Sequence, residues 1–187
     1  VAREKEKVKI SEKAKNKVKK ARNHVDDLVE KGEVVYGITT GFGKFSNKRI
    51  SANETVKLQE NLIKSHAVGT GSPLPQEVVR AMMLLRINHL TRGHSGIRLK
   101  TLNQLVNMLN EDIVPWVPEQ GSVGASGDLV PLAHMVLVMM GEGKAYYQGE
   151  LISGAEALEK TGLKPIELVS KEGLALINGT QMMTALA

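Results

Sequence analysis

From Leu129 to Met140 the chain reads Leu-Val-Pro-Leu-Ala-His-Met-Val-Leu-Val-Met-Met, apolar nearly all round. A stretch with no wet face has to be enclosed by its own domain, so it predicts a buried helix over 129–140 around which other elements pack. It is too short to span a bilayer, which takes roughly 18 or more uninterrupted apolar residues. Composition says what does the enclosing. Of 187 residues 42% are hydrophobic but 3% aromatic, so the core is drawn from Leu, Val, Ile, Met and Ala, a mixture that favours helices. The length suffices for one domain with a real core. The absence of cysteine excludes a disulfide framework and thiolate metal sites and agrees with a reducing compartment.

Periodicity and punctuation place the other elements. Ser11 followed by Glu12 opens a helix that Gly32 stops after Val29, with Ala14, Val18, Ala21, Val25 and Leu28 at helical spacing. Much of the net charge of +5 sits on the lysines between them. They read as the wet side of an amphipathic helix rather than a nucleic-acid footprint, because the interleaved aromatics of a single-strand platform are missing. Residues 33–52 carry turn chemistry and read as an extended loop. Helices are expected over 53–67, over 76–91 after a turn at 73–75, and over 96–110, ending before Pro115 and Pro118. A small hairpin over 143–153 around Gln148-Gly149 and a short helix over 154–160 follow. The fold class is mainly α with loop-rich segments.

Chemistry concentrates in Gly121-Ser122-Val123-Gly124-Ala125-Ser126-Gly127-Asp128-Leu129. Three small residues in a row leave the backbone free to attack itself. If the amide nitrogen of Gly127 reaches the carbonyl carbon of Ala125, a five-membered ring closes, and loss of water from the ring and from Ser126 leaves an exocyclic methylidene. Side chains supply nucleophiles, acids and bases, so such an electrophile would do work usually left to a bound cofactor. Taken alone, the tripeptide is an ordinary turn. Asp128 and Pro131 suit the entrance of the 129–140 helix, where a carboxylate accepts orphan N–H groups and Pro is tolerated; a direct part for Asp128 in ring closure is the other reading, and the two are compatible. The dipole of that helix would favour charge developing on the ring.

Other catalytic patterns fail when spelled out. A nucleophile elbow would need Gly at Asp128. Gly43-Lys44 is followed by Phe45 and preceded at the required spacing by Ile38, so it is no phosphate loop. His89 and His94 are five apart and do not share the helical face a zinc pair needs. No metal site emerges.

Three further segments accompany the tripeptide: Val35-Tyr36-Gly37-Ile38-Thr39-Thr40-Gly41-Phe42-Gly43, Ser65-His66-Ala67-Val68-Gly69, and Lys171-Glu172-Gly173-Leu174-Ala175-Leu176-Ile177-Asn178-Gly179-Thr180. In this order, and along essentially the whole chain, the four resemble landmarks of the histidine and aromatic amino acid ammonia-lyases. The resemblance implies that Ala125-Ser126-Gly127 becomes 4-methylideneimidazole-5-one (MIO), with no external cofactor. It implies that Tyr36 is the base that removes the substrate β-proton, its pKa lowered from about 10 by neighbouring positive charge or donors. His66 would contact the substrate side chain, and Asn178 would hydrogen-bond near the MIO and the substrate amine. Thr39, Thr40 and Gly41 to Gly43 would shape the loop that excludes water, with Gly43 and Asp128 as supporting residues.

His66 in Ser-His-Ala-Val-Gly is typical of the histidine-specific branch, so the implied reaction is elimination of ammonia from L-histidine to give urocanate. A tyrosine or phenylalanine lyase or aminomutase, and an inactive helical association fragment, are the alternatives. His24, His89, His94 and His134 match nothing in the family pattern and read as structural.

Position 1 is Val rather than an initiator Met, and Gln181 to Ala187 stops inside a helical pattern without a cap. Family members run to several hundred residues. The expectation is a single-domain fragment over 1–187 that carries the ring-forming loop and resembles the N-terminal part of the family's helical fold, the C-terminal helical bundle being absent. The 129–140 helix and the uncapped end would then present apolar surface for the missing part, and the fragment alone would be inactive. No signal peptide opens the chain, which reads as cytoplasmic. The resemblance implies a homotetramer acting on a small-molecule amino acid, with no nucleic-acid or membrane partner.

Overall fold

A computed structural model describes residues 1–41 and 52–187, the side chains at 52 and 53 excepted. Helix α1 (Glu12–Glu30) starts where the sequence expects, with the Ser11 hydroxyl accepting the Ala14 amide at 3.3 Å. Val18 and Val25 turn inward along its apolar stripe. Helices α2 (Ala52–His66), α3 (Gln76–Leu90) and α4 (Leu99–Asn110) follow. The expectation of a helix from 96 is corrected: Gly96 sits at φ +69° and Arg98 is extended, so the helix cannot begin before Leu99.

The apolar run forms α5 (Leu129–Met139). Leu132, Ala133, Met135, Val136, Val138 and Met139 are fully buried; burying a side chain of Leu, Val or Met size contributes about 1.5–3 kcal/mol. Helices α2, α6 (Gly154–Lys160) and α7 (Glu172–Ile177) pack on it. This corrects the expectation that the apolar run leaves surface uncovered, because the chain encloses it unaided. The exposed apolar side chains lie elsewhere, among them Met183 and Leu186 on α8 (Gln181–Leu186).

Five short strands join the helices among the described residues. β1 (Thr70–Pro73) pairs antiparallel with β3 (Pro118–Gln120), matching Thr70 with Gln120. β2 (Val114–Pro115), β4 (Lys144–Tyr147) and β5 (Glu150–Ser153) form a second sheet in the order β2-β4-β5. The expected hairpin is β4-β5, turning at Gln148 and Gly149 with φ +51° and +87°, the sign whose twist suits a two-residue turn. The Ser153 hydroxyl then caps α6 by accepting the Glu156 amide. The fold is mainly α, and among the described residues no helix is long and apolar enough to cross a membrane.

The position of α7 is set by buried polar contacts rather than by its six residues' own propensity. Glu172 is fully buried, and its carboxylate accepts from the Arg98 guanidinium at 2.7 and 3.1 Å, the Arg98 amide at 3.0 Å and the Val169 amide at 3.1 Å. The Gly173 amide donates to the Gln59 side chain on α2 at 2.8 Å. These contacts aim the C-terminal end of α7 at the start of α5.

Candidate active site

Between β3 and α5 the glycine-rich segment runs over the surface and then dives at Asp128, which is 3% exposed. The Asp128 carboxylate accepts the Ser122 hydroxyl at 2.6 Å and the Met183 amide at 2.8 Å. It makes no side-chain bond to the amides of α5, which corrects its expected role as the cap of that helix. Met183 is the third residue of α8, so Asp128 satisfies an orphan donor of a helix far along the chain. The Asp128 amide in turn donates to the Gly179 carbonyl at 2.6 Å.

The connector between α7 and α8 therefore lies against the tripeptide. The Asn178 side-chain amide donates to the Ser126 carbonyl at 3.2 Å. Gly127 has φ +109°, and a Cβ there would stand 2.8 Å from both the nitrogen and the carbonyl oxygen of Gly179. Only glycine permits both that dihedral and that approach. Ala125, Ser126, Gly127, Asp128 and Asn178, singled out from sequence, are thus brought into one cluster.

Tyr36 lies on a turn stitched by two buried threonines. Thr39 Oγ1 accepts the Val35 amide at 2.9 Å and donates to the Glu33 carbonyl, and Thr40 Oγ1 accepts the Gly37 amide at 3.3 Å. Tyr36 as a whole is 57% exposed. Gly43 lies outside the described residues. His66 ends α2, where its Nδ1 donates to the Leu62 carbonyl at 2.7 Å; a neutral imidazole that donates through Nδ1 carries its lone pair on Nε2. The turn that carries Tyr36 and the ring of His66 are therefore held by near neighbours in sequence, whereas the tripeptide is held by distant residues.

Two residues beside the site drew no functional reading from sequence. His134, the polar side chain in the apolar run, accepts the Gly69 amide on Nε2 at 3.1 Å, tying the His66 segment to α5. Burial pushes its pKa below the usual value, as befits a neutral acceptor. Arg86 on α3 is 1% exposed and reaches the connector from behind, its Nη1 donating to Gln181 Oε1 at 2.8 Å and its Nη2 to the Ala175 carbonyl. A pattern of apolar and charged positions carries no sign of either contact.

These residues fit a backbone-derived electrophile. Ring closure would retain the Ser126 carbonyl, which Asn178 already holds, and consume the nitrogen of Gly127, whose dihedral and close packing bend the chain back on itself. The positive end of α5 begins at Leu129, two residues beyond the tripeptide.

A family model described as aromatic amino acid lyase matches residues 1–187. The chain is 61% identical over 179 residues to histidine ammonia-lyase of Alkaliphilus oremlandii, covering 96% of this chain and 35% of that protein. The phenylalanine aminomutase of Pantoea agglomerans superposes with a TM-score of 0.94 at 43% identity, over 99% of this chain and 36% of that one. Histidine ammonia-lyase from Trypanosoma cruzi superposes with a TM-score of 0.89 at 42% identity, over 96% of this chain and 34% of its own. The chain spans about a third of the length of the relatives it matches.

Proposed function

Because the chain belongs to the aromatic amino acid lyase family, we propose that it is the N-terminal portion of a histidine ammonia-lyase, a carbon–nitrogen lyase that eliminates ammonia from L-histidine to give urocanate. The observation that carries this reading is the seating of Ala125-Ser126-Gly127 against Asn178 and Gly179. MIO formed there, seated against Asn178 and Gly179, would supply an electrophilic methylidene for the substrate amine.

The chain's own side chains do the rest. Tyr36 removes the β-proton from a turn whose shape Thr39 and Thr40 hold. His66 reads the substrate imidazole, its Nδ1 engaged by Leu62 so that Nε2 is left to accept a hydrogen bond. Asn178 fixes the tripeptide carbonyl, and Asp128 locks the loop to α8. Cytoplasmic location, a homotetrameric assembly and a C-terminal helical bundle beyond these 187 residues belong to the same proposal.

Histidine as substrate is supported by the 61% identity to a histidine ammonia-lyase and by His66. An aminomutase acting on phenylalanine or tyrosine is the rival, since the P. agglomerans enzyme shares the backbone. The test is to express the full-length protein, weigh it, and follow absorbance with L-histidine, L-phenylalanine and L-tyrosine in turn. We expect a deficit of two waters, about 36 Da, urocanate from L-histidine, and loss of both in Ser126→Ala. A protein of full calculated mass would overturn the electrophile, and turnover of an aromatic amino acid in preference to histidine would overturn the substrate.

A further inference from the structure

Every other strongly buried arginine among the described residues meets a carboxylate: Arg22 binds Asp26, and Arg80 binds Asp112. Arg86, the most enclosed of them, meets none. Its Nη groups serve the Gln181 side chain and the Ala175 carbonyl, and its Nε is buried with no hydrogen-bond partner. Leaving a guanidinium in so dry a place without a counter-charge works against folding, so the contacts it makes deserve a physical reason.

They bracket the active-site connector. Ala175 belongs to the last turn of α7, where carbonyls lack helical partners and a cation is favoured. Gln181 is the first residue of α8. The three residues between those helices are Asn178, which holds the Ser126 carbonyl, Gly179, which accepts the Asp128 amide, and Thr180. A Cβ on Gly179 would lie 2.3 Å from Arg86 Nη1, and one on Gly127 would lie 2.8 Å from the Gly179 backbone. Guanidinium, connector and tripeptide are therefore stacked in direct contact, with a glycine at each junction.

We infer that Arg86 is a positioning residue for ring closure: from behind, its two-pronged grip on Ala175 and Gln181 presses the Asn178-Gly179 connector onto Ser126-Gly127. The inference rests on the electrophile reading above. In the step it assists, the Gly127 nitrogen bonds to the Ala125 carbonyl carbon. The Ala125 oxygen leaves as water with the amide hydrogens of Gly127 and Ser126, and the Ser126 hydroxyl leaves as a second water with the hydrogen on its Cα. No oxidant or reductant is needed. Arg86 touches none of these atoms and acts by fixing where the Gly127 nitrogen and the Ser126 carbonyl lie.

The test follows the two-water mass deficit over time in the full-length protein and in its Arg86→Met, Arg86→Lys and Gln181→Met variants, with circular dichroism and oligomeric size as fold checks. Arg80→Met, on the same helix but gripping Asp112 and the N-terminal residues, controls for simple loss of a buried arginine. We expect folded Arg86→Met to convert at least tenfold more slowly than the parent. Arg86→Lys, with one point charge in place of a fork, should fall between them, and Arg80→Met should convert at the parent's rate. Complete conversion at the parent's rate in folded Arg86→Met or Arg86→Lys overturns the inference. So does equal slowing in Arg80→Met. Should both Arg86 variants fail to fold, Gln181→Met decides, since loss of one prong must slow conversion several-fold. A parent that never loses the two waters would instead bring down the electrophile reading, and this inference with it.

Discussion

Two glycines set how closely three layers of the site approach. Gly179 does not use a left-handed dihedral, so the obstacle to a side chain there is steric: a methyl would fall 2.2 Å from Gln181 Oε1 and 2.3 Å from Arg86 Nη1. Gly179→Ala is expected to cost about 1–3 kcal/mol, the usual range for overpacking, and to lower the fraction of protein with the two-water deficit; a denaturant melt and a mass spectrum read the two effects. Tyr36 makes a contrasting case, because Thr39 and Thr40 hold the backbone turn on which it lies. Tyr36→Phe should leave the mass deficit intact while lowering kcat by on the order of 10² to 10⁴, with a smaller change in KM. Unchanged turnover would move the base elsewhere.

At the scale of elements, α5 is both the core of the domain and a support of the site. Its one polar side chain, His134, is half-buried, lies edge-on to Trp116 with ring centres 6.3 Å apart, and accepts the Gly69 amide. Burial lowers its pKa from the usual 6.5, and the sign of the linkage follows. Above 6.5 both folded and unfolded chains hold a neutral ring, and the full stability is present. As pH falls below 6.5 the unfolded chain binds the proton first, and stability is lost until pH has passed the folded pKa. His89 is shifted the same way by burial, by Arg86 and by His94, but it remains in both proteins of a comparison. His134→Gln, which keeps an acceptor for Gly69, should therefore lose less Tm than the parent on going from about pH 7 to pH 5. Equal losses would assign the acid sensitivity to other groups.

For the whole molecule, Asn178, Gly179, Asp128 and, behind them, Arg86 seat the tripeptide from within the described residues. The relatives are about three times as long, and in the tetramer proposed above the remainder and the neighbouring subunits would supply further substrate contacts. The 187-residue chain alone is accordingly expected to release no ammonia from L-histidine and to show at most partial conversion of its tripeptide. A coupled ammonia assay beside an intact mass measures both. Turnover by the isolated chain would mean that every group the reaction needs lies between Val1 and Ala187.

What could be read from sequence was local. The Ser11 cap and the turn at Gln148-Gly149 depend on partners within four residues, so the local sequence predicts them. The buried character of α5 was legible too, since a run with no polar face has one place to go. The tripeptide and Asn178 could be nominated from their segments. Their meeting could not, because the Asn178–Ser126 bond spans 52 positions. Asp128 shows the same limit: its residue type and place at a helix start suggest a cap for α5, yet its carboxylate serves an amide 55 positions away. Arg86 is the extreme case, a charge that propensity would leave at the surface and that packing draws under the connector to meet a glutamine 95 positions on. Short-range order follows from the dihedral preferences and hydrogen-bonding reach of adjacent residues. The partners of buried polar groups are decided when the core closes and water is no longer there to satisfy them.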